Sequence, residues 1–117
     1  MQKAEVSMNW LASFTVRVTE TEIDTHHIIS ADSEQLAERG VQEMGRTWWE
    51  MLEEEVDGCC WRFPEGEVSY FSLVPLADVE TRILLDLKFL DRWCVTVSQE
   101  TPRICDVYGC HWSYFRR

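Results

Sequence analysis

No apolar run in these 117 residues approaches the roughly 20 needed to cross a bilayer, so a membrane-spanning helix is excluded. The opening residues, MQKAEVSMNWLASF, lack the apolar stretch of a secretory signal. Cys-x-x-Cys, a Gly-rich phosphate loop and a Gly-x-Ser-x-Gly elbow are all missing, which removes the usual sequence grounds for a zinc ribbon, a nucleotide site or a serine hydrolase. Bases are scarce as well. Eleven Lys and Arg face 21 Asp and Glu, so the chain lacks the positive footprint that direct binding to nucleic acid requires. Five cysteines are an odd number without the spacing of a secreted disulfide scaffold, and free thiols in a reducing cytoplasm are expected. No cofactor is implied.

What is present is material for one core. The chain is 45% hydrophobic and 12% aromatic, with six tryptophans, and its length suits a single domain over residues 1–117. The formal charge of −10 is unevenly placed. Between Glu20 and Glu67 fourteen acids face three arginines, a balance of −11, while the remainder holds seven acids and eight bases. An acidic pole on an otherwise neutral body follows.

Trp10, Ala12, Phe14, Val16 and Val18 alternate with polar residues, the period of a half-buried strand. THHIIS, after the polar ETEID, reads as a second, antiparallel strand, with His26 and His27 on opposite faces. Asp32 or Ser33 can cap a helix, Gln35 completing a capping-box pattern with Asp32. Leu36, Ala37, Val41, Met44, Trp48, Met51 and Leu52 then follow a helical face, and Asp57-Gly58 offers a left-handed stop. CCWRF reads as a short strand, PEGE as a turn and EVSYFSLV as a strand. Residues 76–90 fit a strand through Ile83, Leu85, Leu87 and Phe89, or a helix through Leu76, Val79, Ile83, Leu87 and Leu90. The strand is favoured, with a tight connection at Asp91-Arg92 into the strand WCVTVS. The sum is an α+β fold: an antiparallel sheet, β-β-α followed by mostly β meander, with one long amphipathic helix packed across it.

The pattern SFTVRVTETE, HHIISA, DSEQLAERGVQEM resembles small β-β-α modules of phage and plasmid accessory proteins. Among such proteins are small acidic inhibitors of host defence nucleases, the anti-CRISPR proteins; the likeness lies in size and charge and assigns no residues.

The stretch TWWEMLEEEVDGCCW concentrates the candidate site. On the helical reading Trp48, Met51 and Leu52 point inward. Trp49 falls at the edge, where it either covers the rim of the sheet or anchors a partner. Glu53, Glu54 and Glu55 would crowd the carboxyl end of a helix, where the dipole disfavours them by a few tenths of a kcal/mol each. With Glu50, Asp57, Glu65 and Glu67 they form either a solvated face or a surface for a basic partner, most concretely a groove built for nucleic acid. Cys59, Cys60, Cys105, Cys110 and His111 are able zinc ligands, but adjacent strand residues diverge, so small core thiols are the better reading. The same divergence separates Cys110 from His111 as a nucleophile–base pair. The expectation is therefore a non-enzymatic interaction domain that binds a basic protein surface and neither nucleic acid nor membrane. The alternative is a homodimer or other homo-oligomer through the aromatic strand CHWSYF.

Overall fold

The computed structural model describes residues 8–88, 90–97 and 101–112. β1 (Met8–Val18) and β2 (Thr21–Ala31) form a long antiparallel hairpin, so all of ETEID but its first residue, Glu20, belongs to the ladder rather than to a loop. Its tip is Thr19-Glu20, with Thr19 at φ 51. That left-handed conformation costs a non-glycine residue about 1–2 kcal/mol, more than glycine loses in entropy. Thr19→Gly is accordingly expected to stabilise the protein by about 0.5–1 kcal/mol. A raised urea midpoint would show it, and a lowered one would place the conformational cost elsewhere.

α1 (Glu34–Arg46) begins where Ser33 Oγ accepts the Leu36 amide at 3.1 Å, so the cap is Ser33 rather than Asp32. Leu36, Ala37, Val41 and Met44 are buried as their spacing requires. The helix ends eleven residues before Asp57, closed by the Thr47 amide donating to the Glu43 carbonyl and the Trp48 amide donating to the Gly45 carbonyl. Two glycines set its distance from the sheet. A Cβ on Gly40 would lie 2.5 Å from Val95, and one on Gly45 would lie 2.2 Å from the ring of Trp61. Trp48 is buried as expected, whereas Met51 is 65% and Leu52 37% exposed, reversing their inward assignment.

Asp57-Gly58 does not cap a helix. It turns a hairpin between β3 (Glu54–Val56) and β4 (Cys60–Arg62), with positive φ at both residues (58° and 68°) and the Cys59 amide bonded to Val56 O. Positive φ at both central positions is what a type I′ turn demands, and Asp-Gly suits it better than most pairs. Phe63 and Gly66 close the next turn by two mutual backbone bonds, leading into β5 (Glu67–Leu76).

Residues 78–86 are helical, which corrects the strand reading. α2 (Asp78–Asp86) is fixed at its start by Glu80 Oε1 accepting the Ala77 amide and Thr81 Oγ1 donating to Ala77 O. The helix also explains a change of direction in the sheet. A tight turn would have paired β6 (Arg92–Thr96) antiparallel with the preceding segment. α2 instead carries the chain across, and β6 joins β2 in parallel. β7 (Arg103–Cys105) completes the order β3-β4-β5-β1-β2-β6-β7, a curled, mostly antiparallel seven-stranded sheet. The aromatic strand CHWSYF is described only as far as Trp112; His111 makes a single bridge to Cys105, and Ser113–Phe115 lie outside the described residues.

The core lies between α1 and the inner face of the sheet and is built on tryptophan. Trp10, Trp48, Trp61, Trp93 and Trp112 are all buried in it, with the Phe14 ring tilted against Trp48 at a centroid distance of 4.9 Å and the Trp112 ring centroid 5.4 Å from that of Trp48 and 5.0 Å from that of Trp93. Among the described residues no helix is long and apolar enough to cross a membrane.

Candidate functional site

The seven acids between Glu50 and Glu67 gather at one edge of the sheet. Glu53, Glu54 and Glu55 run into edge strand β3, not the end of a helix, so the unfavourable dipole disappears. Strand alternation divides them. Glu55 stands opposite Trp61 on the helix side and takes a bidentate pair from Arg46, at 3.1 and 2.9 Å. The Arg46 hydrogen bond holds its carboxyl below the usual range.

On the outer face the strands carry alternating charge. Glu54 pairs with Arg62 at 3.2 Å, Arg62 with Glu67 at 3.9 Å, Glu67 with Arg17 at 3.0 Å and Arg17 with Glu22 at 3.4 Å. This row crosses β3, β4, β5, β1 and β2 in sequence. Glu67 also accepts from the Cys60 thiol at 2.8 Å, which depresses the carboxyl together with the two arginines. Burial, reinforced by Glu67, pushes the Cys60 thiol up. A thiol kept protonated is a poor nucleophile and a poor metal ligand at neutral pH.

Glu50, Glu53, Asp57 and Glu65 are different. They are exposed, and among the described residues none of them makes an ion pair. The carboxylates thus separate into three already paired with arginine, at 54, 55 and 67, and four without an ion pair among the described residues. Trp49 packs on Phe63 with ring centroids 5.4 Å apart and covers the rim. The exposed apolar groups flanking the free acids are Met51 and Leu52.

The thiols do not converge across the sheet: Cys59 and Cys60 lie at the β4 end, Cys105, Cys110 and His111 at the β7 end. Cys94 stands opposite Cys105, which bridges to His111, yet no group of three metal-ligating side chains is found among the described residues.

The two histidines do face opposite ways, as strand alternation requires, but the partner of the inward one escaped sequence reading. His27 points inward, its ring 5.8–6.0 Å from those of Phe14, Trp48 and Trp112. Its Nδ1 lies 2.9 Å from Asp91 Oδ1 and its Nε2 3.2 Å from Thr25 Oγ1. Neither histidine meets a cysteine; His26 bonds Ser13 Oγ at 2.7 Å on the outer face. Thr25, His27, Lys88 and Asp91 border a cleft of about 500 Å³. Both ring nitrogens are engaged, so the imidazole ties β2 to the segment entering β6. Burial is the largest influence and pushes the Asp91 carboxyl up, but the His27 hydrogen bond and charge, together with the Trp93 and backbone hydrogen bonds, leave Asp91 below its ordinary value.

Asp91, Glu55 and Glu67 therefore all bind protons more weakly folded than unfolded. Their contribution is complete above the unfolded carboxyl values near 4 and is lost as pH falls through the folded ones. Denaturant midpoints should hold steady from neutrality to about pH 5 and fall steeply below pH 4. A midpoint unchanged down to pH 3 would show that these pairs do not support the fold.

No protein-family model, curated protein or solved structure matches this chain.

Proposed function

We propose that the protein is an interaction domain whose acidic edge binds a basic protein surface. Its most concrete form is an inhibitor of anti-CRISPR type that occupies the nucleic-acid groove of a defence complex. The observation that supports this reading is the set of four carboxylates, Glu50, Glu53, Asp57 and Glu65, without ion pairs among the described residues, in the segments that flank edge strand β3 and its neighbour β4. A groove evolved to draw in phosphates attracts such a surface, and the charges act chiefly on the rate of encounter. Met51, exposed between Glu50 and Glu53, replaces Trp49 as the apolar anchor; an unbranched thioether adapts to an irregular pocket.

Immobilised protein should retain a nucleic-acid-binding protein from host lysate at low salt and release it at high salt. Adding that protein's own nucleic acid should displace it. Retention that survives both treatments would contradict groove occupancy. No second reading has an observation of equal weight: the Thr25–His27–Asp91 contacts are accounted for as a tie between strands.

A further inference from the structure

α2 is amphipathic in the wrong direction for a helix that merely crosses a sheet. Of its nine residues only Thr81 is buried. Val79, Ile83 and the following Leu87 are 55%, 58% and 47% exposed, although they recur every fourth residue and so form a single ridge. The ridge continues into the sheet: Leu76, at the end of β5, borders a cleft of about 290 Å³ with Ile83, Leu84 and Glu80, whose carboxylate accepts the Ala77 amide, and Val74 shares the outer face of β5 with Leu76 and is exposed. A contiguous apolar surface of this kind on a highly charged chain marks an interaction site.

Charge along the ridge identifies the occupant. Arg82 and Asp86 lie on the same flank of the ridge, one residue before and three residues after Ile83. When two copies of α2 face each other antiparallel about a two-fold axis at Ile83, Val79 of each meets Leu87 of the other and like flanks coincide. Arg82 then falls within about 3 Å, measured along the axis, of Asp86 in the second copy, and the symmetry repeats the pair. Among the described residues neither Arg82 nor Asp86 has an ion pair within its own chain. An acidic or basic foreign partner would match only one of these two charges. A second copy of the same helix matches both.

We infer that the protein forms a two-fold symmetric homodimer through α2, with the Val79–Ile83–Leu87 ridge at its centre and reciprocal Arg82–Asp86 pairs along one flank. The surface is separate from the acidic edge, which the dimer leaves open and doubles, so either inference can fail without the other.

Sedimentation velocity on the full chain tests the assignment. Wild type should sediment at twice the 13.8 kDa protomer mass at concentrations above the micromolar range. Ile83→Glu, at an exposed position, should keep the wild-type circular dichroism and sediment as a monomer. Arg82→Glu and Asp86→Arg should each weaken dimerisation about tenfold, because each change creates two like-charge contacts by symmetry. The Arg82→Glu/Asp86→Arg double variant should recover most of the loss. A monomeric wild type at the highest concentration, or an Ile83→Glu variant that dimerises undiminished, would overturn the inference. Failure of the double variant to recover would overturn the antiparallel pairing.

Discussion

Replacing Gly45 by alanine is expected to cost the fold about 3 kcal/mol, although alanine is the better helix former by up to ~1 kcal/mol. The added methyl would sit 2.2 Å from a ring atom of Trp61, which is wholly buried and projects from β4 against α1. Neither element can yield cheaply, because protein interiors are close-packed and transmit strain. The effect should vanish when its cause is removed. Trp61→Ala alone is expected to destabilise by about 3–5 kcal/mol through the cavity it opens. In that background Gly45→Ala should be neutral or slightly stabilising, since the helix propensity then acts unopposed. Urea denaturation of the four proteins gives the coupling directly. Additive losses would mean that Gly45 is required for some reason other than the approach of Trp61.

The second large effect concerns binding. Glu50→Lys, Glu53→Lys and Glu65→Lys together alter three carboxylates that have no internal ion pair among the described residues, so stability should change little at each. Asp57 is left alone because its positive φ makes a lysine there a test of the turn instead. Association with the captured partner should slow by about 10–100-fold at low salt, with a smaller change in dissociation. Reversing Glu54 or Glu55 would be a poorer experiment. Either change turns a paired arginine, Arg62 or Arg46, against a new cation and confounds binding with stability.

The strands were legible where the period was unambiguous. Trp10, Ala12, Phe14 and Val16 alternate and are all buried, and the antiparallel return of β2 follows from them. Two misreadings have one origin, the coincidence of helical and other periods over short spans. Trp48, Met51 and Leu52 continue the spacing of α1 although the helix ends at Arg46, and Asp57-Gly58 serves a hairpin as well as it would a helix end. In residues 76–90 alternation and helical spacing share Ile83 and Leu87. The deciding signal was local: Glu80 and Thr81 placed to bond Ala77. The acidity of the site could be read from composition, but its division into paired and free carboxylates could not. Arg17 finds Glu67 across 50 residues and His27 finds Asp91 across 64, and only strand register brings such groups together.

The central claim is that the free carboxylates of the β3 edge draw in a basic surface. The most direct test is the association rate with the captured partner as a function of ionic strength, for wild type and the Glu50, Glu53 and Glu65 lysine variant side by side. Wild type should show a steep fall with salt and the variant a slow, nearly flat line, the two converging at high salt. Two parallel lines of equal slope would contradict it, because the charge that steers the encounter would then lie elsewhere on the molecule.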